Sequence, residues 1–244
     1  MMGNIIFDGY NFEDYGVVVS GSGTWNMPER LTIKENIPGK HGALIVDAGM
    51  FDNVEIPYPA WIAHDFAERY EEFSRMLAVH TDKYYRLEDT YHPDYYRMAR
   101  VVPGITPETG TLNRSGSFMV TFDCKPQKWL RSGEEAVDVP AGSQGIKLFN
   151  PTPYDAKPLI TAPQDVEITF SSTEGGVVRL YTYPTAYAPW ANIVYDADIE
   201  EATDSDGFGA NEFVSQTNAI TLKPGLNYIW ATKDIKIAPR WYVI

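Results

Sequence analysis

In the stretch GSFMVTFDC, residues 116–124, Phe118, Val120 and Phe122 occupy every second position, with Met119, Thr121 and Asp123 between them. A period of two puts the three apolar side chains on one face of an extended chain, the pattern of a half-buried β-strand. Outward from this stretch the same vocabulary recurs. GVVVS (16–20), ALIVDAG (43–49) and YYRMARVV (95–102) precede it, and DVEITFSS (165–172), GGVVRLYTY (175–183), NAITLKPGLNYIWAT (218–232) and IAPRWYVI (237–244) follow. Each is rich in Val, Ile, Tyr or Phe and is bounded by Gly, Pro, Asp or Asn. Only HDFAERYEEFSRMLAVH (64–80) has a helical period, with Phe66, Tyr70, Phe73 and Leu77 at spacings of four, three and four. That spacing makes one apolar stripe, to be packed on a sheet. Asp65 with Glu68 predicts a capping box, and Glu71 with Arg75 an i,i+4 ion pair.

The chain is therefore expected to be mainly β, with one packed helix in its first half. Between Lys125 and Pro151 the texture changes, and the stretch KPQKWLRSGEEAVDVPAGSQGIKLFNPTPYDAKPLI (125–160) places prolines at 126, 140, 151, 153 and 158 among glycines and charges. This reads as a connector between domains. Residues 1–135 form the expected N-terminal β-domain with its helix, and residues 136–244 a C-terminal β-sandwich. At 244 residues, either one large all-β domain or two ordinary ones would bury a sufficient core.

Charge and cysteine usage narrow the function. With 20 basic against 33 acidic residues, net charge −13, the chain lacks the basic surface that a nucleic-acid backbone or an anionic membrane demands. One cysteine, Cys124, cannot form an internal disulfide, which fits folding in a reducing cytoplasm. The opening MMGNIIFDGYNF has neither the basic nor the long apolar region of a signal peptide. Aromatics make up 14% of the chain, and Tyr and Trp serve interfaces and sugar-stacking sites as well as cores.

Catalytic motifs do not emerge. His41, His64, His80 and His92 stand in no zinc-binding spacing, no serine lies in G-x-S-x-G, and there is no Walker A sequence. GFGANE (207–212) lacks the third glycine of a dinucleotide fingerprint. Cys124, inside a strand pattern, reads as a small buried hydrophobe rather than a nucleophile. The acidic stretch YDADIEEATDSDGFGANE (195–212) contains DSDG, but aligning Gly207 with the glycine of an EF-hand puts Ala202 where the first aspartate belongs and Phe213 where the glutamate belongs. It is expected to be a solvated acidic loop. No cofactor and no metal are expected, and the protein is not expected to be an enzyme.

Two local features carry structural or binding expectations. In NIPGKHG (36–42), Pro38 and Gly39 suit the second and third positions of a type II turn, and Gly42 closes the loop before the β-run ALIVDAG. His41 then lies at an exposed tip, because a phosphate cradle would open a helix and this loop opens a strand. In YTYPTAYAPWANIVY (181–195), Tyr187 and Trp190 are candidates to stack on sugar rings, against the ordinary role of strand or loop packing.

The order of several short motifs resembles one family. The opening F-D-G-x-N followed by Y-G-V (Phe7–Asn11, Tyr15–Val17), the P-G-x-x-G turn (Pro38–Gly42), the aromatic-striped helix, and F-x-C-x-P before Trp129-Leu130 are similar to the siphophage distal tail protein family over residues 4–130. NPTPYDAKPLI (150–160) resembles the start of that family's variable C-terminal domain. The resemblance implies a ring-forming N-terminal domain and a galectin-like or carbohydrate-module-like C-terminal sandwich, with the last strand, in RWYVI (240–244), able to return to the first domain. It also implies a structural role at the virion tail tip: a hexameric ring of identical chains joining the tail tube to baseplate and receptor-binding proteins and letting DNA pass, after assembly in the host cytoplasm. A carbohydrate-binding or lectin-like adhesion protein is the alternative that the sandwich and its aromatics leave open.

Overall fold

A computed structural model describes residues 3–21, 24–172, 176–184 and 192–244. The chain divides into two compact units, Met1–Lys128 with Ile244, and Trp129–Val243. The division falls inside a continuous strand.

The first unit runs β1 (Ile5–Phe7), β2 (Tyr10–Asn11), β3 (Val17–Val19), β4 (Arg30–Asn36), β5 (Ala43–Phe51), β6 (Val54–Ile62), α1 (Phe66–Ala78), β7 (Tyr85–Asp89), β8 (Tyr95–Val101), β9 (Glu108–Thr109) and β10 (Gly116–Leu130). Its main sheet has the order β2-β1-β7-β8-β10-β6-β3, with β9 also on β10. Phe118, Val120 and Phe122 of β10 are buried, as their alternation requires, and Cys124 continues the same face. They meet Phe7, Phe12, Tyr58 and, from the helix, Phe66 and Phe73 in one aromatic-rich core. Rings contact edge-on in this core, with Phe12–Phe73 centroids at 4.7 Å and Phe7–Phe122 at 4.9 Å.

The F-D-G-x-N…Y-G-V motif has a local explanation. Phe7 pairs with Tyr10, so Asp8-Gly9 is a two-residue hairpin loop, and both take positive φ, 49° and 81°, as a type I′ turn requires. Asn11 then accepts from the Glu13 amide at 2.9 Å and opens a short 3-10 turn that ends at Gly16. The start of α1 differs from the sequence expectation. Asp65 adopts a left-handed conformation, φ 54°, and makes no side-chain cap, because that backbone turns its carboxylate away from the first helical amides. Phe66 instead donates its amide to Arg114 O at 3.3 Å.

β6 contains Pro57 and Pro59, opposite Thr121 and Met119 of β10. Pro59 O accepts from Ser20 N on the β3 side, so the missing N–H groups of these alternate residues face that side too. Along β6, β3 covers Ala60–Ile62. The prolines therefore lie along an edge that needs no donor.

The presumed connector is folded. β10 runs through Lys125–Leu130, and the second unit continues with β11 (Val137–Val139), β12 (Gly142–Asn150), β13 (Leu159–Ala162), β14 (Val166–Ser172), β15 (Gly176–Thr182), β16 (Ile193–Asp196), β17 (Glu201–Asp204), β18 (Val214–Gln216), β19 (Gly225–Ala231), β20 (Ile235–Ala238) and β21 (Tyr242–Val243). Pro126 lies within the final residues of β10, Pro140 and Pro151 flank β12, Pro153 lies in the bend after it, and Pro158 directly precedes β13. Two five-stranded sheets, β11-β20-β13-β16-β17 and β12-β19-β14-β15-β18, enclose a core of Ile160, Ile168, Leu180, Ile229 and Ile237. This is a β-sandwich. β21 pairs with β10, and Leu130 N donates to Trp241 O at 2.8 Å.

Candidate functional site: an exposed apolar hairpin

β4 and β5 form a two-stranded sheet that pairs with no other strand among the described residues. The register sets Ile33 opposite Val46 and Glu35 opposite Leu44, so residues 31, 33 and 35 share one face with 44 and 46. That face carries Leu31, Ile33, Leu44 and Val46, which are 38%, 58%, 49% and 43% exposed. The other face carries Arg30, Thr32, Lys34 and Asp47 with Ile45. Arg30 is paired with Asp47 across the strands, Nε to Oδ1 at 2.9 Å. This pairing holds the Asp47 carboxyl below its ordinary value, with a second hydrogen bond from Gly49 N. An isolated two-stranded hairpin is marginal in water, and four aliphatic side chains on one face of this one form a contiguous exposed apolar patch. Trp25 and Met27, just before β4, are exposed as well.

NIPGKHG is the tip of this hairpin. Lys40 N donates to Ile37 O at 3.1 Å, and Gly39, third in that turn after Pro38, has φ 83°. Gly42 has φ 84° directly before β5. His41 is exposed at the tip. Tyr187 and Trp190 lie outside the described residues.

Of the other groups singled out in the sequence, His64 and most of the acidic residues of 195–212 are exposed, while His80, His92 and Cys124 are engaged within the fold. Asp89 accepts from Tyr58 Oη at 2.6 Å and from the amides of Tyr91 and His92 at 2.8 Å, and His92 Nδ1 is 3.1 Å away. Burial pushes the Tyr58 hydroxyl far up, with the Asp89 charge adding to it. His80 Nδ1 contacts Met76 O at 2.6 Å, and its Nε2 is 3.2 Å from Asp8. Burial pushes the Cys124 thiol up to about 12, so it is a thiol at neutral pH. In the acidic loop, Asp204 Oδ1 accepts from the amides of Asp206 and Phe208, and Asp196 is engaged by both Arg240 nitrogens at 2.6 and 2.7 Å. No group of three or more His, Cys, Asp or Glu among the described residues is arranged to hold a metal ion. No described helix is long and apolar enough to cross a membrane.

The fold, one sheet unit with a packed helix followed by a sandwich, is shared with solved phage proteins. It is similar over 99% of both chains to the crystal structure of the Dit protein (gp 19.1) of SPP1, described as a paradigm of the hub adsorption apparatus in phages infecting Gram-positive hosts, with TM-score 0.72 and 17% identity. It also matches, over 97% of each chain, the phage P2 baseplate in its activated conformation with calcium and with strontium, TM-score 0.52 and 11% identity in both. No family's sequence model matches the chain, and no curated protein matches it in sequence. The fold implied by the short motifs is thus the fold found.

Proposed function

We propose that this protein is a structural component of a phage tail tip whose first units close into a ring, joining the tail tube to the baseplate and its receptor-binding proteins and leaving a passage for DNA. The observation that carries the reading is the β4–β5 hairpin. Its apolar face is left uncovered by its own unit, whose core is complete without it. A projecting patch that meets a different surface of the next copy makes a head-to-tail contact, and such contacts close into rings at a fixed rotation. In the hexamer that the family resemblance implies, six 27.5 kDa chains give a particle of about 165 kDa. The likeness to a hub protein and to baseplate structures supports the tail-tip setting. An acidic chain also suits a conduit, since a negative lumen does not retain DNA. Light scattering with negative-stain imaging of the full chain tests this: a closed ring is expected, and a monomer that persists at high concentration and in the presence of tail-tube protein overturns it.

A further inference from the structure

Buried polar side chains in this protein are spent on hydrogen bonds: His80 on Met76 O, Asn150 on Leu222 O, Thr182 on Pro163 O, Asn227 on Lys223 O. Arg97 is different. It lies in β8, opposite Leu87 of β7, and is only 6% exposed. Among the described residues, no hydrogen bond or ion pair engages its guanidinium. A buried cation is costly unless something pairs with it. Asp89, whose charge acts on Tyr58 together with that of Arg97, is already taken by the Tyr58 hydroxyl, the Tyr91 and His92 amides and the His92 ring.

A second cation lies on the same face. In β10 the buried positions Val120, Phe122 and Cys124 continue by alternation through Pro126 to Lys128. Arg100 Nε donates to Asp123 at 2.8 Å and Val102 N to Thr121 O at 2.9 Å, so β8 and β10 run antiparallel with Arg97 opposite Pro126. Lys128 is then the diagonal neighbour of Arg97, a separation that long side chains bridge. It is half-buried and likewise has no ion-pair partner among the described residues. Burial, and after it the Arg97 charge, holds the Lys128 ammonium below its ordinary pKa. Arg97 is not sealed in, because the one fully enclosed side-chain polar atom without a partner among the described residues is Gln127 Oε1. The unpaired guanidinium nitrogens therefore keep a narrow opening to solvent.

We propose that Arg97 and Lys128 bind a small dianionic oxyanion, of which inorganic phosphate is the simplest form. The guanidinium fork takes two oxygens and the ammonium a third. A dianion neutralises both cations, whereas a monocarboxylate leaves one unpaired. The narrow opening admits a free ion and excludes a nucleic-acid backbone, in keeping with a chain of 33 acidic and 20 basic residues. Bound there, the ion ties β8 to β10 beyond the apolar core and stabilises the folded chain by mass action.

The test is thermal melting and phosphorus NMR of the full chain at neutral pH, with phosphate replaced by chloride or acetate at matched ionic strength. Between zero and about 20 mM phosphate the melting temperature should rise by about 4–6 °C, the shift for a dissociation constant of about 1 mM. Acetate should not reproduce the rise. Lys128→Met should weaken phosphate binding tenfold or more, with an unchanged melt in phosphate-free buffer. Arg97→Met removes an unpaired buried charge, so it should melt no lower than wild type without phosphate and gain nothing when phosphate is added. No rise beyond that in chloride overturns the proposal, as does an equal rise with acetate or in Lys128→Met. An Arg97→Met melt well below wild type in phosphate-free buffer overturns it too, since Arg97 would then have a partner within the fold.

Discussion

Ile33→Asp places a charge at the centre of the hairpin's apolar face. Complete burial of a Val, Leu or Ile side chain stabilises by about 1.5–3 kcal/mol, so a side chain already partly covered has about half of that to gain on assembly. Ile33, at 58% exposed, contributes about 1–1.5 kcal/mol on this reckoning, and the four residues of the face together about 3–6 kcal/mol. Aspartate forfeits the Ile33 share and adds the cost of desolvating a carboxylate, so each contact weakens by at least about 1.4 kcal/mol, or tenfold. Because every chain in a ring supplies the same contact, the losses compound. The first unit should fold as before, since Ile33 has no part in its core. Its melting temperature should move by no more than about 2 °C. Lys34→Gln, on the opposite face, is the control and should assemble normally. Mass by light scattering and thermal melts of the three proteins check this together. A ring formed as readily by Ile33→Asp as by wild type would refute the argument, and so would an early melt, which would mean that the face already packs within its own unit.

Gly39→Val imposes a β-branched residue on a positive φ, about 1–2 kcal/mol of strain at a tip with nothing within 4 Å. The strain should appear as faster proteolysis and amide exchange in residues 36–43 and as weaker assembly, with the unit's melt nearly unchanged; His41→Ala should do neither. At Asp196, burial acts to raise the carboxyl, but the Arg240 hydrogen bonds and the amides of Asp198 and Ile199 bring it below its ordinary 3.8. A depressed carboxyl stabilises fully above its unfolded value and loses that contribution as pH falls through the lower, folded one. The stability difference between wild type and Arg240→Met, followed by urea melts of the second unit, should therefore be constant from pH 7 to about 5 and shrink below about pH 4. Cys124 should react negligibly with a thiol reagent at pH 8 in the folded protein and at once in urea, because its thiol is both enclosed and held as a thiol.

Strands that alternate and end at turn residues were legible in the sequence. The face Phe118–Val120–Phe122 and the stripe Phe66–Tyr70–Phe73–Leu77 needed nothing beyond local period, because each element satisfies its own pattern wherever it packs. β6 was not legible in full, since Pro57 and Pro59 argue against a strand until the pairing of β3 on their donor-less side is known to stop at Ala60. Asp65 fails as a cap for a similar reason: the sequence supplies the right side chain but does not disclose the backbone angle on which capping depends. The prolines of 126–158 read as a connector between domains, yet proline at a strand terminus disrupts nothing, and composition does not separate a connector from strands that end at proline.

The hairpin shows why a surface of the kind proposed for assembly escapes sequence reading. RLTIKEN and ALIVDAGMF carry the same aliphatic residues as a core strand, and Ile33 or Val46 would serve equally well inside the sheet of the first unit. What separates them is that β6, β10 and α1 close the core without them, which is a property of the whole unit and not of the stretch. An apolar face kept out of a complete core costs solubility, and the chain limits that cost in visible ways. The opposite hairpin face carries Arg30, Lys34 and Asp47, the β6 edge is guarded by prolines, and a net charge of −13 keeps free chains apart. These features would be superfluous around a strand pair destined for an interior. They are what a chain needs if it must stay dispersed until a neighbour of the right shape covers Leu31, Ile33, Leu44 and Val46, and that requirement ties the exposed face to assembly more firmly than its hydrophobicity does.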